Sequence, residues 1–156
     1  MDPVSLSPEQ QQLEHQGEAV EVPTTLQGDN LCLSRCLWFL TGDQDGLPPP
    51  EPIGAWSRDF LGNDKRFHNL FYTASILEAR PLKDLRCFCA GEYLVRVCRR
   101  DQQQGHWVVL TREGVFDPGF PRKSLPVDLW TNAFDNVYVI ARVYQYTSGQ
   151  PRSVAS

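Results

Sequence analysis

Leu31-Cys32-Leu33-Ser34-Arg35-Cys36-Leu37-Trp38-Phe39-Leu40 is an almost wholly apolar run that follows Gln27-Gly28-Asp29-Asn30 and stops before Gly42. It predicts a helix from about Leu31 to Thr41, with Asp29 or Asn30 available as the N-cap and Gly42 as the C-terminal stop. Apolar residues occupy nearly every side of it, the mark of a helix buried within a domain rather than lying on one.

Downstream of this helix the period changes. Residues 42–52 are rich in Asp, Gly and Pro and read as a loop. Leu70, Phe71, Ala74 and Leu77 fall at helical spacing, which predicts a second helix from about Asn69 to Ala79, ended by Pro81. Four β-branched and aromatic runs then follow: Tyr93–Cys98, His106–Leu110, Val115–Asp117 and Val137–Gln145. Helices first and a meander afterwards make an α+β domain, with the Cys32 helix packed on an antiparallel sheet of four or more strands.

The two ends look different. Residues 1–22 carry Gln, Glu, Ser and Pro with little apolar periodicity and are expected to be a disordered or loosely attached arm. The folded domain is placed at 23–146, and the small, polar residues 147–156 are expected to form a flexible tail.

Composition narrows the function classes. A chain of 156 residues with 41% apolar and 22% charged residues is an ordinary globular domain. A net charge of −4 speaks against a nucleic-acid footprint, which needs a basic face. No stretch approaches the roughly 18 apolar residues of a membrane span, and Met1–Glu21 has neither the basic nor the apolar segment of a signal peptide. The five cysteines form no CxxC pair and their spacings fit no zinc pattern, so no metal and no cofactor are expected. They read as reduced thiols in a cytoplasmic protein, or in one delivered into a host cell without a cleavable signal.

The chemistry sits at the helix tip. Unpaired N–H groups and the positive end of the macrodipole favour a thiolate at the N-terminus of a helix, where Cys32 lies. Those N–H groups can also hold an oxyanion. Gln27 is placed to donate its side-chain amide, and Asp29 and Asn30 to shape the loop. Cys36, one turn further, reads as a small buried hydrophobe, although it is the other candidate nucleophile.

His106 follows Gly105 at a strand start and can serve as the base. Asp117 ends the next strand. If Arg112-Glu113 make a two-residue turn, Val108 faces Asp117, and His106 and Asp117 become diagonal neighbours on one face. A three-residue loop with Gly114 as a bulge would separate them. The order Cys-helix, His-strand, Asp-strand is that of a Cys-His-Asp catalytic unit. Trp38, Trp56, Trp107 and Trp130 read as packing residues.

Gln27-Gly28-Asp29-Asn30-Leu31-Cys32-Leu33-Ser34-Arg35-Cys36-Leu37 resembles the Gln-loop and Cys-helix of bacteriocin-processing peptidases, within the papain-like cysteine peptidase superfamily. It is also similar to the Asp-Gly-Asn-Cys-Leu-Phe-Arg-Ala segment of ovarian-tumour-type deubiquitinases. Asp29, Cys32, Leu33 and Arg35 match that segment, while Asn30, Leu31 and Ser34 depart from it. Gly105–Leu110 and Val115–Pro118 resemble the superfamily's His strand and Asp-Pro strand. The resemblance spans about 30 residues. It implies a papain-like fold, a thiolate at Cys32, a general base at His106, an orienting acid at Asp117 and oxyanion help from Gln27.

The expected activity is a cysteine-dependent hydrolase cutting a peptide or isopeptide bond of a protein substrate, as a monomer, in a setting such as a bacterial or phage effector or toxin domain. Transglutaminase- or deamidase-type acyl transfer on the same triad is a second reading. A non-catalytic binding or inhibitory protein on the same scaffold is a third.

Overall fold

The computed structural model describes residues 7–28, 31–44, 71–74, 79–88, 90–100 and 105–146. Seven strands form one antiparallel sheet among them: β1 (Phe71–Ala74), β2 (Arg80–Pro81), β3 (Glu92–Arg99), β4 (Gly105–Thr111), β5 (Gly114–Asp117), β6 (Phe120–Leu125) and β7 (Tyr138–Tyr146). Their order is β1-β7-β3-β4-β5-β6, with the two-residue β2 also paired to β7. The α+β class holds, and the four runs expected to be strands are β3, β4, β5 and β7.

The sheet is covered on both faces. On one, α2 (Cys32–Thr41) packs Leu33, Cys36 and Leu37 against Leu94, Trp107, Val109, Phe116 and Tyr144. That i, i+3, i+4 set is the face a helix turns to a sheet. Phe39 stacks on Phe116 with ring centroids 4.1 Å apart. Gly42 closes α2 in the left-handed conformation at φ 79°, its N–H donating to the Trp38 carbonyl at 2.7 Å. The Gly stop is as expected.

On the other face lie α1 (Pro8–Leu13), the 3₁₀ segment Leu82–Phe88 and α3 (Val127–Phe134), around a core of Val95, Val97, Val108, Leu110, Val115, Leu125, Ile140 and Val143. Val127, Trp130, Thr131 and Phe134 recur at helical spacing, a legible signal for α3 in a segment left unassigned from sequence.

Three expectations are corrected. Residues 7–22 are docked, not loose. Ser7 and Gln10 form a reciprocal capping box, Leu13 is fully buried in the α3-side core, and the Gln10 amide donates to the Ala133 carbonyl at 3.2 Å. Val20 N–H and the Glu18 carbonyl pair with Pro121 and Lys123 of β6. One buried leucine and a Ser-x-x-Gln box outweigh the polar average of the segment. Phe71–Ala74, placed in a helix by period, is an edge strand on β7; Phe, Tyr and Thr are strand formers, and pairing along Val143–Tyr146 decides the matter. The remaining residues of that expected helix, apart from Ala79, lie outside the described residues, as do 1–6 and the tail 147–156. The limits of the folded unit therefore move: the domain includes residues N-terminal to 23.

Leu13→Ala should cost about 2–5 kcal/mol in urea unfolding, the range for removing a fully buried leucine. A loss below about 0.5 kcal/mol would mean that the arm contributes nothing to the core.

One irregularity matters for the site. On β7, Arg142 pairs with Arg96 and Ile140 with Val97, leaving Ala141 as an unpaired extra residue. This bulge carries Ile140 and Tyr138 to the α3 face, whereas Tyr144 faces α2. No helix among the described residues is long and apolar enough to cross a membrane.

Candidate active site

The β4–β5 hairpin decides whether an acid can reach the histidine. Thr111 pairs with Gly114, Leu110 with Val115 and Val109 with Phe116, so Arg112-Glu113 is the two-residue turn. Continuing that register sets Val108 opposite Asp117 and leaves His106 as the diagonal neighbour of Asp117 on the α3 face. The side chains meet: His106 Nε2 is 2.7 Å from Asp117 Oδ1. With Nε2 engaged, Nδ1 is the ring nitrogen left for Cys32, whose thiol lies close enough to help hold the proton on the ring.

Cys32 comes from α2, on the opposite face of the sheet. His106 is the second residue of β4 and Asp117 the last of β5. The three therefore meet at the end of the sheet, where groups from the two faces come within reach of each other. As the first residue of α2, Cys32 has a backbone N–H without a partner in the helix.

Asp117 is a buried carboxylate with a full set of donors. Oδ1 also accepts from Gly119 N–H at 2.8 Å, and Oδ2 accepts from the Trp130 indole N–H at 2.9 Å. Burial pushes its acidity down, but the His106 charge and these hydrogen bonds outweigh that, so the carboxyl lies below its usual range. For His106, burial favours the neutral ring; the Asp117 charge and hydrogen bond, with the Cys32 thiol, overcome it and hold the proton well above the ordinary histidine range. The imidazole also stacks on Tyr138, ring centroids 5.8 Å apart at 19°, while 21% of its side chain stays accessible. One edge of the ring is therefore open to solvent.

Cys36 is fully buried. Burial, then the neighbouring Cys32 and Asp117, push its thiol well up, against a smaller lowering by Arg35. It is an inert core residue, and half-buried Cys32 is the available sulfur.

The loop before α2 departs from expectation at one residue. The Gln27 amide donates to the Val22 carbonyl at 3.1 Å, in an exposed position, so here it serves the loop's own structure. Asp29 and Asn30 lie outside the described residues. Arg35 takes a role that the sequence did not assign. Its Nε donates to the Leu26 carbonyl at 2.7 Å and its Nη2 to the Gly28 carbonyl, tying the loop to the first turn of α2.

Trp130, which the sequence gives only as a packing residue, and Tyr138, which it does not single out, also belong to the site. A buried indole N–H usually finds an acceptor, and an acid at a strand end is a ready one. Trp130→Phe keeps the ring and removes the donor. It should lower kcat/KM about tenfold by loosening Asp117, and cost about 1–3 kcal/mol of stability because buried Asp117 Oδ2 loses its donor. Unchanged kcat/KM would make Trp130 a packing residue only.

Comparison with known protein families, with curated proteins and with solved structures returned no match.

Proposed function

We propose that this chain is a cysteine-dependent hydrolase of the papain-like type, cutting a peptide or isopeptide bond through an acyl-thioester. The observation that supports this most is the His106–Asp117 pair, 2.7 Å apart, set beside the Cys32 thiol at the tip of α2, with Nδ1 of the ring left for the sulfur. Cys32 Sγ would attack the carbonyl carbon, and the oxyanion would rest on the Cys32 backbone N–H. The His106 imidazolium then gives its proton to the leaving amine, and the neutral ring draws a proton from water as that water releases the acyl group. Asp117 keeps the ring oriented and stabilises its charged form.

The test is acylation by p-nitrophenyl acetate. A burst of p-nitrophenolate and an acetyl group found on Cys32 by mass spectrometry support the reading, and decay in water against decay with added amines separates hydrolysis from transfer. Acetylation of Cys32 no faster than of exposed Cys87 would overturn it.

A further inference from the structure

The sheet face under α2 carries a pair of cations beside the candidate site. Arg96 of β3 and Arg142 of β7 are direct cross-strand partners, and both are half-buried. Strand alternation sets them on the face of Leu94, Trp107 and Tyr144, in the same row as Trp107 and one row closer to the Cys32–His106 end than Leu94 and Tyr144. Like charges directly opposite each other destabilise a sheet. Arg86 and Arg100 meet Asp128 and Asp135, and Arg35, Arg112 and Arg122 donate to backbone carbonyls, but among the described residues neither Arg96 nor Arg142 is paired with a carboxylate. In a chain of net charge −4, two half-buried guanidiniums without a carboxylate partner among the described residues are not a by-product of excess basic residues.

The Arg96 group is also held in place. It lies 5.3 Å over the Trp107 ring, and its far end abuts Gly105, where a Cβ would come within 2.4 Å of Nη2. Three consecutive residues of β4 thus divide the work. Gly105 leaves space for the guanidinium, His106 faces the other side as the base, and Trp107 is the platform beneath the cation. A guanidinium fixed on an aromatic plane keeps its N–H edge free for a planar anion.

We infer that Arg96 and Arg142 form a subsite for a substrate carboxylate close to the scissile bond, either an acidic side chain or a free C-terminus. This inference rests on the hydrolase reading above, and the experiment separates the two. Iodoacetamide and iodoacetate are similar in size and differ in charge, and both alkylate Cys32. In the Arg96→Met/Arg142→Met double variant the iodoacetate rate should fall about tenfold while the iodoacetamide rate stays within about twofold of wild type. Arg96→Lys/Arg142→Lys keeps the charge and should hold the iodoacetate rate within about threefold, which separates charge from folding.

N-blocked peptide libraries, one set amidated and one with free C-termini, then identify the source. Acid preference within the amidated set assigns a side chain, and preference for the free set assigns the terminus. Both preferences should disappear in the methionine variant. An unmoved iodoacetate-to-iodoacetamide ratio with fast Cys32 alkylation overturns the subsite and leaves the hydrolase standing. Iodoacetamide labelling of Cys32 no faster than of Cys87 overturns both.

Discussion

His106→Ala should reduce hydrolysis by a factor on the order of 10⁴, and Asp117→Asn should move the alkaline limb of the wild-type activity profile to lower pH. The sign follows from what holds the imidazolium. His106 keeps its proton well above the ordinary range because Asp117 outweighs the cost of burial. Protonation of the leaving amine needs that proton, so wild-type activity should persist through neutral pH and fall as pH rises through the elevated value. Asparagine keeps the shape and removes the charge, so the ring loses its proton earlier.

Stability should follow the same group. A pKa raised by folding adds stability that is complete below the unfolded value near ~6.5 and is lost as pH climbs through the folded one. Wild-type Tm should therefore decline across that alkaline window, and the His106→Ala variant should lack this decline. Asp117, lowered by folding, contributes in the opposite direction: its stability is present above the unfolded value and is lost as pH falls through the folded one. An activity profile in Asp117→Asn with the wild-type alkaline limb would remove Asp117 from the triad.

Gly114→Ala should destabilise the protein by about 2 kcal/mol or more, lowering Tm by at least about 5 °C. Gly114 holds φ +145°, and a Cβ there would lie 2.3 Å from the Leu125 carbonyl oxygen, a backbone atom with no side-chain freedom to give way. Relief requires β5 and β6 to part or the Arg112-Glu113 turn to change. Either disturbs the register that sets Asp117 beside His106, so activity should fall further than stability alone explains. Glu113→Ala, at an exposed turn position, is the control and should shift stability by less than about 0.5 kcal/mol. A Gly114→Ala protein that melts with wild type would show the turn to be indifferent to this residue.

The Cys32 helix, four of the strands and the Cys-His-Asp order were legible because each is a local pattern: an apolar run with a Gly stop, alternating β-branched residues, a turn of countable length. Asp117 was legible only conditionally, since one residue more in the turn would have reversed its face. Features set by long-range pairing were not readable. Phe71–Ala74 is a strand because β7 accepts it as an edge. Leu13 is buried because α3 offers a groove more than a hundred residues away, and polar composition averaged over the segment concealed its one anchor. Trp130, Tyr138 and Arg35 belong to the site through contacts that no spacing rule gives, and Gln27 was assigned by position where its hydrogen bond lies elsewhere.

Arg142 and Tyr138 are four positions apart, and in a regular strand two even-numbered residues look the same way. The single unpaired Ala141 reverses parity between them, so β7 sends an arginine to one side of the sheet and an aromatic ring to the other. The spacing of this stretch is thus a digital constraint rather than an elastic one. Removing Ala141 alone would restore a regular ladder and keep Tyr138 on the side opposite Arg142. Removing two residues would bring Tyr138 to the Arg142 side and strip the ring from His106. Chains descended from a common ancestor of this one should therefore vary in the odd position, and keep an odd number of ladder steps between the arginine and the ring whether or not that position is filled.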